Sequence, residues 1–223
     1  MLSTPQAPIK IDDELYLPRL RVMQSRLLDK MIAFCDQELG PSAMKDAWEL
    51  FSLESELSLT HPTPEWAQIF LPWFLHSWTP IEAGDTKMGE AALEQTPAQL
   101  FYSQKFATLS ELEVRFLACS LVSAFSFFEV IQVFKGEGFL LTDLLLDETY
   151  FVAERVGSTQ IVEKQILFTQ VVSLQKVARL NGCAPFSLSP EAKQIVLEFR
   201  SELEKQSKPI TPVLLQELSI DIL

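Results

Sequence analysis

The chain has 223 residues, of which 48% are hydrophobic, and a formal net charge of −12. This length and apolar content predict a packed core in one large domain or two small ones. The charge is −8 over residues 1–125 and −4 over residues 126–223, which weighs against binding to a nucleic-acid backbone, because such binding needs clustered Lys and Arg.

The location is predicted by elimination. The first residues lack a charged region followed by an apolar stretch, so no signal peptide is expected. No window has about 18 uninterrupted apolar residues, so no membrane span is expected. The three cysteines, Cys35, Cys119 and Cys183, lie far apart, which favours a reducing compartment over a disulfide framework. A soluble cytoplasmic protein is therefore expected.

The N-terminal region has the periodicity of helices. Residues 1–11 are predicted to be an arm, and apolar residues then recur at helical spacing over residues 12–39. Gly40 is typical of a helix end. A short helix through Trp48 and Phe51 follows.

Capping residues predict three further helices. The starts combine a capping hydroxyl with a following proline, or with a glutamate three residues later: Thr63-Pro64, Thr96-Pro97 and Ser110 with Glu113. Pro72 predicts a kink or a break in the first of these helices. Residues 79–95 are predicted to be a surface loop, and the third helix is expected to end near Ser123.

Short apolar runs separated by turn residues then predict strands. They are Phe127–Val133, Gly138–Asp143, Thr149–Arg155, Gln165–Leu174 and Val177–Gly182. Ser189-Pro190-Glu191 predicts the start of a final helix. The predicted fold is α+β: a helical part over residues 1–125, then a small antiparallel β-barrel-like unit with a C-terminal helix over residues 126–223, with the two parts packed as one body.

The sequence contains no recognisable catalytic, cofactor-binding or metal-binding motif. It has no nucleophile elbow and no phosphate-binding glycine loop. His61 and His76 have no Cys, Asp or Glu at metal-ligand spacing, so both are interpreted as packed or surface residues. Glu154 and Arg155 close a predicted strand and are interpreted as a structural ion pair. No cofactor or metal is expected.

The most distinctive stretch is the aromatic segment at residues 70–80, FLPWFLHSWTP. We interpret it first as a buried helix that packs the helical part against the β unit. The alternative is that its tryptophans line a groove for a partner, because Trp often anchors interfaces. The candidate partner-binding residues are Trp73, His76, Trp78, Glu154 and Arg155.

Several segments in order resemble a family of uncharacterised bacterial proteins, many of which carry a C-terminal SEC-C zinc-binding motif. They are FLPWFLHSWTP at 70–80, TPAQLF at 96–101, LSELEVRFL at 109–117, FSFFEVIQV at 125–133, GFLLTDLLLDETYFVAER at 138–155, ILFTQVVSL at 166–174 and NGCAPFSLSP at 181–190. The cysteine-rich SEC-C module is absent here, and the stretch after Arg155 departs from the family pattern. The resemblance therefore implies an architecture but neither zinc nor an activity.

Three functions are compatible with these features. We expect a non-enzymatic interaction or regulatory protein that binds another protein through its acidic surface or aromatic segment. One alternative is a nucleic-acid-associated accessory factor, by analogy with other small barrels. The other is an enzyme whose acids are distant in sequence and meet only in the fold. The sequence leaves the partner and the oligomeric state open.

Overall fold

The computed structural model of the chain describes residues 16–54, 61–80, 94–174, 177–205 and 209–218. The predicted arm and most of the predicted loop at 79–95 lie outside these ranges. The described helices and strands are α1 Tyr16–Glu38, α2 Ala43–Glu54, α3 Pro64–His76, α4 Pro97–Lys105, α5 Glu111–Leu121, β1 Phe125–Phe134, β2 Gly138–Asp143, β3 Thr149–Val152, β4 Ile166–Leu174, β5 Val177–Leu188, α6 Ala192–Lys205 and α7 Pro212–Glu217.

The apolar stripe predicted for the first helix is buried along α1. Leu20, Leu27 and Phe34 repeat every seven residues, or about two helical turns, and each is at most 3% exposed. Gly40 follows the helix with a φ of +86°. Glycine adopts this left-handed conformation without a Cβ clash, which is why the helix ends there as predicted.

Two of the predicted helix starts have their full capping geometry. α4 and α5 begin with capping boxes, in which the hydroxyls of Thr96 and Ser110 each accept a hydrogen bond from the backbone N–H three residues later. Thr63 is the N-cap residue of α3, but its hydroxyl makes no capping bond to the backbone. The capping role predicted for that hydroxyl is wrong.

Helix α3 runs without interruption through Pro72 to His76. Of the two alternatives predicted at Pro72, a kink or a break of the helix, the break is therefore wrong. Proline removes one backbone hydrogen bond and costs about 3 kcal/mol inside a helix. Its neighbours Ile69, Phe70 and Phe74 are fully buried, and burial of each such side chain stabilises the helix by about 1.5–3 kcal/mol. Packing on both sides of the proline therefore outweighs its local cost.

The five strands form a closed barrel in the order β1-β2-β3-β5-β4, which confirms the predicted barrel. Four pairings are antiparallel, whereas β3 and β5 pair in parallel through Val152 and Ala178. β3 ends at Val152 rather than at Arg155. β5 continues past Gly182 to Leu188, because the glycine lies at a bulge in the β4–β5 ladder and not at a turn.

Three apolar clusters hold these elements together. The barrel interior contains Phe128 and Val130, which alternate along β1 as expected for a strand with one buried face. A second cluster joins α6 and α7 to the outside of the barrel. The third combines residues of α1–α5 with Phe125, Phe168 and Ala184 of the strands. The predicted boundary at 125/126 thus falls at the start of β1, inside a shared core.

Among the described residues, no helix combines the length and the apolar character needed to cross a bilayer.

Candidate functional site

The two tryptophans of the aromatic segment lie in the core. Trp73 is 2% exposed and Trp78 is 1% exposed. The ring centroid of Trp73 is 5.1 Å from that of Phe51, and the Trp78 centroid is 5.2 Å from that of Phe74. These contacts match the interpretation of the segment as a buried helix, and neither indole is available to a partner without a rearrangement of the core.

His76, at the end of α3, is 3% exposed, and its Nδ1 atom has no hydrogen-bond partner. Burial lowers the pKa of the imidazole to about 4, because the charged form would lose its hydration. The side chain is therefore neutral at physiological pH. An unpaired polar atom in a buried position is unusual in folded proteins, which singles His76 out from the apolar residues around it.

Glu154 and Arg155 do not pair with each other. The Glu154 carboxylate lies 3.3 Å from a guanidinium nitrogen of Arg179 and 3.6 Å from one of Arg21. Arg155 is exposed and donates from Nε to the Gly136 carbonyl at 3.3 Å. The predicted pair is wrong because the chain after β3 directs the two side chains to different partners.

Arg179 is the buried member of this charged group, with 9% of its side chain exposed. It also donates from Nε to Gln24 Oε1 at 3.2 Å and from Nη1 to the Ala153 carbonyl. Burial lowers the pKa of Arg179, and the neighbouring Glu154 opposes that shift. The contacts tie α1, the end of β3 and β5 together at one point.

A cleft of about 920 Å³ opens between the helical part and the barrel. Its walls are α1 and α3 on one side and the barrel on the other, where β5 and the chain after β3 contribute most of the lining. His76 and Glu154 line the cleft, whereas Trp73, Trp78 and Arg155 do not. The structure therefore brings together two of the five residues that sequence analysis selected.

The floor of the cleft is apolar. The residues that form it come from six different elements and are at least half-buried: Leu27, Met31, Leu75, Phe116, Phe139, Leu167 and Leu180. Carboxamides lie among them, namely Gln24, Gln68, Gln160, Gln165 and Asn181. Among the described lining residues Glu154 is the one carboxylate, and two arginines balance it. The lining is therefore nearly uncharged, although the whole chain is acidic.

Exposed apolar side chains lie at the barrel side of this cleft. Val156 is 62% exposed and Phe186 is 40% exposed, and both line the cleft. The Phe186 ring lies 6.1 Å from the half-buried ring of Trp66, at the start of α3. Both side chains therefore add exposed apolar surface to the apolar lining of the cleft.

The described lining of the cleft includes one thiol, that of Cys183. Burial raises the pKa of the Cys183 thiol to about 11, so the thiol is protonated at neutral pH and is a poor nucleophile. Within the described ranges, no three His, Cys, Asp or Glu residues are grouped so that they could hold a metal ion. The apolar floor of the cleft suits binding of an apolar group.

Sequence analysis missed Val156, Phe186 and the carboxamides. Phe186 follows Gly182, the predicted end of the last strand, and so falls outside the predicted strands. Val156 lies in the stretch that departs from the resembling family. The available signal was the apolar–polar–apolar order of Phe186, Ser187 and Leu188, which is typical of a half-buried strand.

No protein-family model, curated protein or solved structure matches the chain. The fold and the site define an α+β protein in which a helical part and a closed five-stranded barrel border one apolar cleft. The resemblance to the SEC-C-associated bacterial proteins stays a prediction.

Proposed function

We propose that this chain is a non-enzymatic interaction protein that binds a partner protein in the cleft between its helical part and its barrel. The observation that carries the proposal is the combination of an apolar floor with the exposed Val156 and Phe186 at its edge. Burying such side chains against a partner releases about 25 cal/mol for each Å² of apolar surface removed from water. We place this interaction in the cytoplasm, in agreement with three unpaired cysteines.

In this proposal the partner contacts the cleft and not the tryptophans of the aromatic segment. Trp73 and Trp78 contribute to the core that supports α3. α3 in turn contributes Leu71, Leu75 and His76 to the cleft. The aromatic segment therefore acts on binding through the position of the helix and not through contact with the partner.

A matched pair of double variants tests the proposal. Val156→Asp with Phe186→Asp places charges on the cleft, and Val122→Asp with Phe106→Asp places the same charges on residues outside its lining that are 69% and 51% exposed. Each variant and the wild type are immobilised, and proteins retained from an extract of the source organism are identified by mass spectrometry. Each retained protein is then titrated against the wild type and both variants to test whether its binding saturates.

The expected result is a saturable partner that wild type and the control variant retain and the cleft variant loses. Recovery of no saturable partner by the wild type contradicts the proposal, as does equal recovery by the cleft variant. Thermal melts of all three proteins establish that they are folded.

The two alternative functions have less support. A nucleic-acid-associated role rests on analogy with other small barrels, and the nearly uncharged cleft offers no basic surface for phosphates. A titration with labelled single-stranded DNA at low salt tests it, and absence of binding contradicts it. An enzyme would need convergent acids, and Glu154 is the one acid among the described residues that line the cleft.

A further inference from the structure

His76 lies on the face of α3 that borders the cleft. Gln68, Pro72 and His76 are spaced four residues apart, so they follow one another along one face of the helix, and all three line the cleft. His76 is 3% exposed, and its Nδ1 atom has no hydrogen-bond partner. The lining of the cleft thus contains a buried polar group whose hydrogen bonding the described residues leave incomplete.

An incomplete hydrogen bond at a buried position is costly, because the polar atom has given up its bonds to water without a replacement. Within the described ranges, the other buried side-chain atom without a partner is Oγ of Ser77, which does not line the cleft. An occupant of the cleft that supplies the missing bond to His76 removes this cost. The position therefore favours a ligand that carries a polar group.

The charge state of His76 indicates which polar group it would bind. Burial lowers the pKa of the imidazole to about 4, so the ring is neutral at physiological pH. A neutral imidazole has one nitrogen that donates and one that accepts a hydrogen bond. A hydroxyl group both donates and accepts, so it can pair with either nitrogen.

The rest of the lining indicates the body of the ligand. Buried apolar side chains from three helices line the cleft and belong to one core cluster: Leu27, Met31, Leu75 and Phe116. Glu154 is the one charged side chain among the described lining residues, and Arg21 and Arg179 already hold it. A charged ligand would therefore lose its hydration without gaining a free counter-charge. The volume of about 920 Å³ is that of a small-molecule site, for which about 300–1,000 Å³ is typical.

We propose that the His76 end of the cleft binds an uncharged small molecule with an apolar body and one hydroxyl group, which pairs with the imidazole of His76. This ligand goes beyond the partner protein of the proposed function. Phe186, on which the partner is placed, lies 6.1 Å from Trp66 at the start of α3. His76 follows Trp66 by ten residues of this helix, or about 15 Å along its axis. The ligand and the partner therefore contact different ends of the cleft.

Four probes that share one phenylpropyl body test the proposal: 3-phenylpropan-1-ol, butylbenzene, 3-phenylpropanoate and 3-phenylpropylammonium. Butylbenzene has a methyl group in place of the hydroxyl, and the last two probes carry opposite charges. Each probe is titrated into the full chain, as wild type and as His76→Leu, and binding is followed by NMR. The chain has two histidines, so the exposed His61 is an internal control for His76 in the same spectrum.

The alcohol should shift the imidazole nitrogen resonances of His76 to saturation and leave those of His61 in place. Its affinity relative to butylbenzene should fall by about two- to tenfold in His76→Leu, which corresponds to the loss of one hydrogen bond. Both charged probes should bind at least about tenfold more weakly than the alcohol. Thermal melts establish that the variant is folded, and the wild-type resonances report the contact without any variant.

Several results would overturn the proposal: no response of the His76 resonances to the alcohol, an unchanged relative affinity in the folded His76→Leu variant, or tightest binding of the anion. If no probe binds while a protein partner requires His76, a side chain of the partner is the occupant, so this proposal is wrong and the proposed function stands. If the probes bind as expected and no partner is recovered, this proposal stands and the proposed function is wrong.

Discussion

Substitution of Gly182 by alanine tests the contact that closes the cleft on its α3 side. Gly182 lies on β5 with a φ of +101°. A Cβ atom at this position would lie 2.8 Å from Cγ and 2.9 Å from Cβ of Pro72, and 3.1 Å from the Gln68 carbonyl oxygen. These distances are too short for a methyl group, so α3 and β5 would have to move apart.

Two costs add in this variant. An L-residue in the left-handed region costs about 1–2 kcal/mol, and forcing a methyl group into a packed contact costs about 1–3 kcal/mol. The expected loss in the free energy of unfolding is about 2–5 kcal/mol. Gly40 has a φ of +86°, and no atom lies within 4 Å of the position that an added methyl group would take, so Gly40→Ala carries the backbone cost alone, about 1–2 kcal/mol.

Urea denaturation of the wild type and both variants measures the difference, with the slope m checked for constancy. Gly182→Ala should be less stable than Gly40→Ala by about 1–3 kcal/mol, which is the packing cost alone. If the two variants lose the same free energy, α3 and β5 are not in the close contact described, and the reasoning about the cleft wall is refuted.

Three further predictions concern buried polar groups. Burial lowers the His76 pKa to about 4 from the ordinary 6.5, so between these pH values the unfolded chain binds a proton that the folded chain does not. The free energy of unfolding should therefore fall by up to about 3 kcal/mol as pH drops from 6.5 to 4. Denaturation at several pH values should show a smaller pH dependence in His76→Leu, and an unchanged dependence would contradict the prediction. Arg179→Met leaves Glu154 with one exposed partner and should lower the free energy of unfolding by about 3–5 kcal/mol. Arg21→Met removes the 3.6 Å ion pair made by a side chain that is 42% exposed, and should lower it by less than about 1 kcal/mol. Equal shifts of the melting temperature in the two variants would argue against the buried pair. Asp143 Oδ1 accepts hydrogen bonds from Ser126 and from the N–H groups of Leu145 and Leu146. Asp143→Ala should therefore lower the free energy of unfolding by about 2–4 kcal/mol, whereas Asp143→Asn, which retains an acceptor, should lower it by about 1 kcal/mol or less. Chemical denaturation measures both losses, and equal losses would refute the prediction.

Several elements were predictable because their signals are local. The spacing from Leu20 to Phe34 specifies one face of a helix whatever it packs on. The capping box at Ser110 satisfies backbone groups within four residues. The turn at Gly136, with a φ of +81°, separates β1 from β2 as expected for glycine. Such features depend on neighbours in the chain and therefore appear in the sequence.

The wrong predictions share a different origin. Pro72 lies in a continuous helix because buried neighbours on α3 outweigh its local cost. Gly182 lies within a strand because the β4–β5 ladder contains a bulge there. Glu154 pairs with Arg179 and Arg21, which come from other elements, instead of with the adjacent Arg155. In each case the packing of the folded chain decided the outcome.

The sequence by itself determined the order of helices and strands, the α+β class and the absence of a recognisable catalytic motif, because periodicity, capping and composition are properties of short segments. Only the tertiary structure decided the cleft. Its lining runs from Gln24 of α1 to Ser187 of β5, and no local pattern records which distant apolar residues remain uncovered once the core has packed.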